Sequence, residues 1–502
     1  MPRLKKIKRN EFIKLSLFGG AAVYLSSCGM GNNKTEKIIA VEKDTVLPDS
    51  IPPNAVKKTI QPTFKLYKKG DPKYDLLRKG FNKRIDKYPA AIAFCTSTEE
   101  AAQAVTYGIE NKLPISIKSG GHSFEGFSCN NDGLVIDLSS MNNVTWESQN
   151  TVIIEPGCIL SQLYDIILPK HKIIPAGSCG NVGIGGLTLG GGYGLFSRKF
   201  GLTCDSLQEI TMVNGKGNII NSKDDPELLW ACKGGGNGNF GVITSLKFSL
   251  NTAPDFLQSH RFKIPHINAQ KAKHVLEQWF SVTARLPPSC FSAFVLNGRS
   301  LYILLTNIEK HNSETQKIVS QLSSLVDKTI IGKSIPLAKA VQVFYGEKNP
   351  LYFKNASAGL YKNFDDISNF IEDVLEKVTS TQDMIYQVNT VGGEINSSVF
   401  ANASSYSHRD QNYLSELQTY WRQESQTDKM VKAFEEVQQI FFANGVKQQY
   451  RNYPDVNFKN WENAYYGENY ARLQKVKSKY DPGNIFRYEQ SIVPLSQKEV
   501  SI

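Results

Sequence analysis

The chain has 502 residues, of which 41% are hydrophobic and 21% are charged, with a formal net charge of +11. This length and composition predict a globular protein of two or three domains and exclude a disordered or fibrous chain. Residues 1–27 contribute +5 of the charge, and the other +6 is spread over 475 residues without a basic run interleaved with aromatics, which argues against nucleic acid as a partner.

The first 27 residues have the three parts of an export signal. Six Lys or Arg side chains precede or begin an apolar stretch over residues 15–25, and Cys28 follows two serines. The apolar stretch is too short to span a bilayer as a mature helix. Because residues 25–28 (LSSC) resemble a bacterial lipobox, we predict a signal peptide at 1–27, lipidation of Cys28 and a tether at 28–62. A plain secretory signal and an uncleaved anchor are the alternatives.

Such a signal predicts an exported lipoprotein that faces the periplasm or the cell surface and touches the membrane only through its N-terminal lipid anchor. Residues 9–14 (RNEFIK) resemble a twin-arginine signal whose second arginine is replaced by Asn10, so the export route stays open. The eight cysteines include no Cys-x-x-Cys pair, which leaves a metal site without support. Disulfides are permitted outside the cytoplasm, but the sequence does not give their pairing.

From residue 88 onward the pattern alternates short strands with helices. Strands are predicted at 90–95, 115–118, 134–138 and 151–155, and helices at 98–111 and 159–168. A glycine turn over residues 119–123 (SGGHS) directly follows one of these strands. This mixed α/β pattern places a ligand-binding turn at the end of a strand.

Residues 236–241 (GNGNFG) match the dinucleotide-binding fingerprint literally, but their context is reversed. The fingerprint requires a strand before it and a helix after it, so that the pyrophosphate meets the helix N-terminus. Here a helical segment, 225–230, precedes the glycines and a strand, 242–248, follows them. We therefore reject a Rossmann fold.

Glycines become rarer beyond residue 255, and a second domain is predicted over residues 256–450. It combines strands such as 301–305 with polar helices such as 365–378 and 412–423, which predicts a sheet with helices on one face. The last 50 residues change character again.

Two stretches carry the strongest functional signal. His122 lies in residues 119–123, where a Gly-Gly pair lets the backbone approach a ligand because no Cβ intervenes. Cys179 lies in residues 175–180 (PAGSCG) and opens a glycine-rich run that extends to residue 194. Turn amides of this kind can also cradle a phosphate.

These stretches, with residues 452–455, 465–470 and 479–486, resemble the berberine-bridge-enzyme-like oxidases of the vanillyl-alcohol-oxidase, or PCMH, type. The resemblance implies an α+β fold with a PCMH-type FAD-binding domain of two α/β subdomains over 63–255. A substrate domain over 256–450 would carry an antiparallel sheet flanked by helices. A C-terminal segment over 451–502 would return to the FAD domain.

The resemblance also implies bicovalent FAD, held by His122 at the C8 methyl carbon and by Cys179 at ring carbon C6. It implies a wider set of cofactor-binding residues: Ser119, Gly120, Gly121, Ser123, Gly177, Val182, Gly183, Gly185, Gly186, Gly192, Tyr193, Gly194, Gly241, Val242 and Asn484.

In sugar-oxidising relatives two tyrosines three residues apart face the flavin, so the resemblance names Tyr453 as the catalytic base and Tyr450 as its helper. Because an ordinary tyrosine pKa of about 10 makes a poor base, a neighbour must favour the phenolate, and Arg451 could supply positive charge. The alternative is that both are core tyrosines that hold the returning segment. Phe124 stands where some sugar-oxidising relatives have tyrosine, and Val182 is similar to the small residue of oxygen-using members.

The sequence thus predicts an FAD-dependent oxidoreductase that oxidises an alcohol or sugar hemiacetal by hydride transfer to covalent flavin. The expected partners are a small alcohol or carbohydrate and O₂, which would be converted to H₂O₂. One alternative is a dehydrogenase on the same fold that uses a quinone or another carrier. The other is a non-catalytic surface module that carries flavin.

Overall fold

The computed structural model describes residues 62–310 and 312–496. The predicted signal peptide, Cys28 and all of the predicted tether before residue 62 lie outside these residues. Within the described ranges, no helix combines the length and apolar character needed to cross a membrane.

The first sheet has four short strands: β1 (Lys65–Tyr67), β2 (Ala91–Phe94), β3 (Ile115–Lys118) and β4 (Leu134–Asp137). Their spatial order is β1-β2-β4-β3, with β4 parallel to both β2 and β3 and with β1 antiparallel to β2. Helices α1 (Tyr74–Arg78) and α2 (Thr98–Glu110) accompany this sheet. The predicted strands and the helix at 98–111 are confirmed, and Ser97 caps α2 by accepting a hydrogen bond from the Glu100 amide.

A second sheet is antiparallel throughout, in the order β5-β6-β10-β8-β9. Its strands are β5 (Val144–Ser148), β6 (Thr151–Ile154), β8 (Leu207–Asn214), β9 (Ile219–Asn221) and β10 (Gly241–Ser249), while β7 (Lys172–Ile173) pairs with β11 (Asn251–Thr252). The helices are α3 (Leu160–Ile167), α4 (Ile184–Leu189), α5 (Ser197–Phe200) and α6 (Pro226–Cys232). Since α6 precedes the glycines of residues 236–241 and β10 follows them, the reversed order predicted from sequence is confirmed.

The third sheet is the largest and is also antiparallel, in the order β15-β12-β14-β13-β18-β19-β17, with β16 beside β12. Its strands are β12 (Phe256–Ile264), β13 (Cys290–Asn297), β14 (Ser300–Asn307), β15 (Lys328–Ile330), β16 (Ser334–Pro336), β17 (Tyr352–Tyr361), β18 (Met384–Thr390) and β19 (Tyr413–Trp421). The accompanying helices are α7 (Ala269–Thr283), α8 (Ser313–Ser324), α9 (Leu337–Ala340), α10 (Ile371–Ser380), α11 (Ser398–Ala403) and α12 (Thr427–Ala443).

The predicted helix at 412–423 is wrong, because this segment forms strand β19. All nine residues of β19 are buried, and the strand lies between β17 and β18 with antiparallel pairing on both edges. Its Leu, Glu and Gln residues favour a helix locally, but two neighbouring strands satisfy its backbone and override that preference. One of the buried residues of β19 is the carboxylate Glu416.

The large sheet presents one face to helices and the other to a cavity. On β13, Ser292 accepts a hydrogen bond from the indole of Trp279 in α7, whereas the adjacent Phe291 lines the cavity. On β18, the ring of Tyr386 packs against Phe441 of α12, whereas the next residue, Gln387, lines the cavity. Successive side chains of a strand point to opposite faces, which explains the alternation. The architecture is therefore α+β, as predicted.

The C-terminal segment returns to the first two sheets through α13 (Trp461–Tyr466) and α14 (Tyr470–Tyr480). Phe486 forms a bridge beside Ile115 of β3, and Lys477 of α14 is fully buried. The Lys477 ammonium donates to the Asp481 carboxylate and to the carbonyls of Asn239 and Phe486, each at 2.7 Å. One buried ammonium group thus joins the C-terminal segment to the turn before β10.

We expect Lys477→Met to lower the free energy of unfolding by about 3–5 kcal/mol, because it leaves the buried Asp481 carboxylate without its cation. Urea denaturation of the purified protein measures this loss. Lys377→Met is the control, since Lys377 pairs with Glu436 at 3.3 Å while both side chains are about half exposed. Equal unfolding midpoints for the two variants would contradict the prediction.

Candidate active site

A cavity lies where the first two sheets, the large sheet and the C-terminal segment meet. It holds about 1740 Å³ of empty space, its open mouth included. The turn after β3, the 177–195 region, β18, β19 and residues 450–454 all contribute to its wall. The fold therefore brings to one place side chains that are separated by more than 300 residues in sequence.

All but three of the predicted active-site and cofactor residues within the described ranges line this cavity: Ser119, Gly120, Gly121, His122, Ser123, Gly177, Cys179, Val182, Gly183, Gly185, Gly186, Tyr193, Gly194, Gly241, Tyr450 and Tyr453. The three exceptions lie outside the wall. Gly192 supports it, because its amide donates to the Tyr450 hydroxyl at 3.0 Å. Val242 is buried in the core of the first sheet, and Asn484 forms a left-handed turn with φ +47°.

The turn of His122 and the turn of Cys179 are packed backbone against backbone. A Cβ on Gly120 would lie 2.4 Å from the Gly183 amide nitrogen, and a Cβ on Gly183 would lie 2.5 Å from the Ser119 hydroxyl. Only glycine permits this approach. The two turns are therefore held side by side in the cavity wall.

His122 is partly exposed as a residue, but its Nε2 atom is buried and its imidazole is neutral. Its ring stacks on Phe81 with centroids 4.2 Å apart, and burial lowers its pKa to about 4 despite an opposing interaction with Asn181. Among the described residues, no hydrogen-bond partner reaches its Nε2 atom. A neutral ring with one uncommitted nitrogen suits a nucleophilic or attachment role.

Cys179 differs from the other cysteines of the described ranges in lining the cavity. Burial, and secondarily the charge of Glu416, raises the pKa of its thiol to about 12. The remaining six are buried thiols away from the cavity wall, as expected for structural cysteines: Cys95, Cys129, Cys158, Cys204, Cys232 and Cys290.

A chain of hydrogen bonds along the cavity wall connects Tyr453 to residues of β18. The Tyr453 hydroxyl donates to the Tyr193 hydroxyl at 3.1 Å, and the Asn389 amide donates to the same Tyr193 oxygen at 3.0 Å. Gln387 in turn donates to Asn389 at 2.8 Å. Gln387 and Asn389 are adjacent same-face residues of β18, so the sheet supplies polar groups beside the two tyrosines.

Glu416 is an acidic cavity side chain that the sequence did not single out. It is 1% exposed, lines the cavity, accepts from Gln418 at 2.9 Å through Oε2, and has no partner for Oε1 in the part of the chain that the structure describes. Burial raises its pKa to about 8. If residues 412–423 had been predicted as a strand, the alternation of faces would have placed Glu416 on the cavity side of the sheet. Glu394, another carboxylate of the 256–450 region, is exposed and outside the cavity.

Arg451, the expected helper charge for Tyr453, lines the cavity, but its hydrogen bonds go to other tyrosines. Arg451 donates to the hydroxyls of Tyr466 at 3.0 Å and Tyr488 at 2.9 Å, so its guanidinium is committed to the C-terminal aromatic residues. Burial, and then the neighbouring Tyr193 and Glu416, raises the pKa of Tyr453 well above its usual range. Phe124 stacks on the Tyr453 ring with centroids 5.4 Å apart.

Comparison with known families gives two matches along the chain. Residues 89–223 match the model described as FAD binding domain, and residues 449–493 match the model described as Berberine and berberine like. The first range contains the His122 and Cys179 turns, and the second contains Tyr450 and Tyr453.

Two curated relatives illustrate the similarity. The uncharacterized FAD-linked oxidoreductase YgaK of Bacillus subtilis (strain 168) is 32% identical over 451 residues, which cover 86% of this chain and 97% of the relative. The glucooligosaccharide oxidase of Sarocladium strictum is 28% identical over 467 residues, which cover 84% of this chain and 91% of the relative.

A solved structure described as chitooligosaccharide oxidase superposes with a TM-score of 0.77 at 25% identity, covering 87% of this chain and 98% of the other. Aclacinomycin oxidoreductase superposes with a TM-score of 0.79 at 25% identity, covering 86% of this chain and all of the other. With the match to YgaK over 86% of this chain, these similarities show that the chain belongs to the berberine-bridge-enzyme-like family of FAD-linked oxidoreductases.

Proposed function

We propose that this protein oxidises a CH–OH group of an alcohol or a carbohydrate hemiacetal with bicovalently attached FAD and passes the electrons to O₂. The observation that carries the proposal is the convergence of His122, Cys179, Tyr453 and Glu416 on one cavity. Two similar proteins, named glucooligosaccharide oxidase and chitooligosaccharide oxidase, support a carbohydrate substrate.

The residues of the cavity fit FAD. The close approach of Gly120 and Gly183 leaves backbone rather than side chains along the cavity wall, as a planar ring and a phosphate require. His122 and Cys179 would hold the flavin, since each lines the cavity with a nucleophilic atom type. Bound FAD supplies the acceptor for the hydride that leaves the substrate carbon.

Oxidation of a CH–OH group also releases the hydroxyl proton, and two cavity side chains compete to accept it. Tyr453 has a pKa raised well above 10 and a neutral tyrosine as its hydrogen-bond partner, so it holds its proton firmly. Glu416 has a pKa of about 8, which is nearer to neutrality, as an efficient general base requires. We therefore assign the proton to Glu416, with Tyr453 as hydrogen-bond partner of the substrate oxygen.

The electron acceptor completes the reaction. The substrate loses a hydride and a proton, and O₂ gains two electrons and two protons to become H₂O₂. Val182, partly buried in the cavity wall near Cys179, supports O₂ as acceptor because a small side chain leaves room for a diatomic molecule.

The export signal adds a location to this proposal. A lipidated Cys28 would hold the enzyme at the membrane, facing the periplasm or the cell surface, where extracellular alcohols and carbohydrates reach it. Residues 1–27 support the proposal through their basic stretch, apolar stretch and LSSC sequence.

We expect the purified protein to consume O₂ and release an equal amount of H₂O₂ with at least one member of a panel of oligosaccharides and aromatic alcohols. An oxygen electrode and a peroxidase-coupled assay measure both quantities. Substrate-driven flavin bleaching with a quinone, without O₂ uptake, would indicate the dehydrogenase instead. No bleaching with any compound would favour the non-catalytic module.

The flavin should stay with acid-precipitated protein and colour it yellow. His122→Ala and Cys179→Ala should each keep one covalent bond, and the double variant should release its flavin. Cys95→Ala, which removes a buried thiol outside the cavity, is the control and should retain both bonds. Complete release of FAD from the wild type would disprove the attachment.

Stopped-flow flavin reduction should distinguish the two proton acceptors. Because Glu416 must be ionised to act, the wild-type reduction rate should rise with pH and level off above about 8. The Glu416→Gln variant should be slower than the wild type by about 10²–10⁴-fold, and its rate should not rise with pH. Tyr453→Phe should lose about tenfold, the effect of one hydrogen bond, and keep the pH dependence. Glu394→Gln, an exposed carboxylate, is the control. A larger loss in Tyr453→Phe, with the pH dependence abolished, would return the base to Tyr453.

Mass spectrometry of the membrane fraction should detect a mature N-terminus at Cys28 with a diacylglyceryl group. Cys28→Ser should move the protein out of that fraction, since the thiol is the lipid acceptor. A soluble mature protein that begins at another residue would refute the anchor.

A further inference from the structure

Four charged side chains, three of them buried and one partly exposed, form a cluster behind the wall of the cavity; we name it the Lys354 cluster (Arg84, Glu125, Lys354 and Asp455). The Lys354 ammonium contacts the carboxylates of both Glu125 and Asp455, the latter at 2.8 Å. Arg84 pairs with the other oxygen of Glu125 at 3.0 Å. The side chains of Lys354, Glu125 and Asp455 are 1–3% exposed.

The cluster joins two segments that line the cavity through a strand that does not line it. Glu125 lies three residues after His122, and Asp455 lies two residues after Tyr453. Lys354 belongs to β17 of the large sheet, between these two segments. One ammonium group therefore links the turn that carries the proposed attachment histidine to the segment that carries Tyr453.

Neighbouring contacts extend this link to the cavity wall. Arg84 and Asn82 both donate to the Phe124 carbonyl, at 3.3 and 2.9 Å. The Phe124 ring packs edge-on against Phe353, the residue before Lys354, and stacks on Tyr453. On the same strand, the Ser357 amide donates to the Tyr453 carbonyl at 2.9 Å.

Stability alone is a weak reason for such a cluster. Removing charges from water costs free energy. Apolar side chains of similar volume therefore often stabilise a core as well as, or better than, a buried ion pair. A charged cluster does, however, demand one geometry, since its hydrogen bonds are directional and a displaced carboxylate would be left unpaired.

We propose that Lys354 is a positioning residue that fixes Tyr453 and Phe124 against the His122 turn, and so sets the pose of the substrate hydroxyl over the flavin. This inference rests on the proposed function for the role of Tyr453. Lys354 does not line the cavity, so it acts through the segments that it joins.

The test compares Lys354→Met, Asp455→Asn and the double variant by stopped-flow flavin reduction of the folded, flavin-loaded protein. We expect Lys354→Met to lower the limiting reduction rate by about 10- to 100-fold, as misplacement of a reacting group does, with substrate affinity nearly unchanged. The double variant should lose less than the product of the single losses, because Asp455→Asn removes the carboxylate that Lys354→Met leaves unpaired. Lys271→Met, at an exposed pair with Asp327, is the control.

A purely structural role would lower stability but leave the reduction rate of the folded fraction intact. A Lys354→Met rate within about threefold of wild type, or single losses that multiply in the double variant, would overturn the inference. If Lys354→Met does not fold, Asp455→Asn carries the test: we expect about a tenfold loss of rate, and a wild-type rate would overturn the inference.

Amide hydrogen exchange gives a readout that is independent of activity. Residues 122–126 and 450–455 should lose protection together in Lys354→Met, although more than 300 residues separate them. Unchanged protection in either segment would contradict the proposed link. If the wild type oxidises no substrate, the proposed function fails, while this comparison still tests the link itself.

Discussion

The backbone contact between Gly120 and Gly183 is the constraint on which the site depends. With a Cβ on either residue the two turns could not approach so closely, and the separation between His122 and Cys179 would change. The remaining wall is built around this fixed pair: the large sheet supplies Gln387, Asn389 and Glu416, and the returning C-terminal segment supplies the tyrosines.

Burial determines the electrostatics of the cavity. In a medium of low polarity the neutral form of an acid is favoured, so the pKa values of Glu416, Cys179 and Tyr453 are all raised, whereas His122 is held neutral by a lowered pKa. Of the three acids, only Glu416 titrates close to neutral pH. Burial therefore favours a carboxylate, rather than a phenol, as proton acceptor in the proposed reaction.

Local patterns predicted about half of the strands in the first two sheets and did not predict β1, β5, β8 or β9. Strands β2, β3, β4 and β6 and helix α2 formed within one or two residues of their predicted bounds, because their apolar periodicity and the cap at Ser97 act over short distances. The helix prediction for residues 412–423 was wrong because the structure there depends on distant residues. Helix-favouring residues form β19 there because β17 and β18 pair with it, and those partners are distant in sequence.

By itself, the sequence determined the family, the α+β fold class and the glycine turns around His122 and Cys179, because these depend on residue types at short spacing. Tertiary structure decided which charges face the site. It brought Glu416 and Arg451 into the cavity wall, with the Arg451 hydrogen bonds going to Tyr466 and Tyr488, and it joined Glu125 to Asp455 through Lys354. The reason is physical: a pKa shift or a buried ion pair depends on neighbours in space, which a linear pattern does not specify.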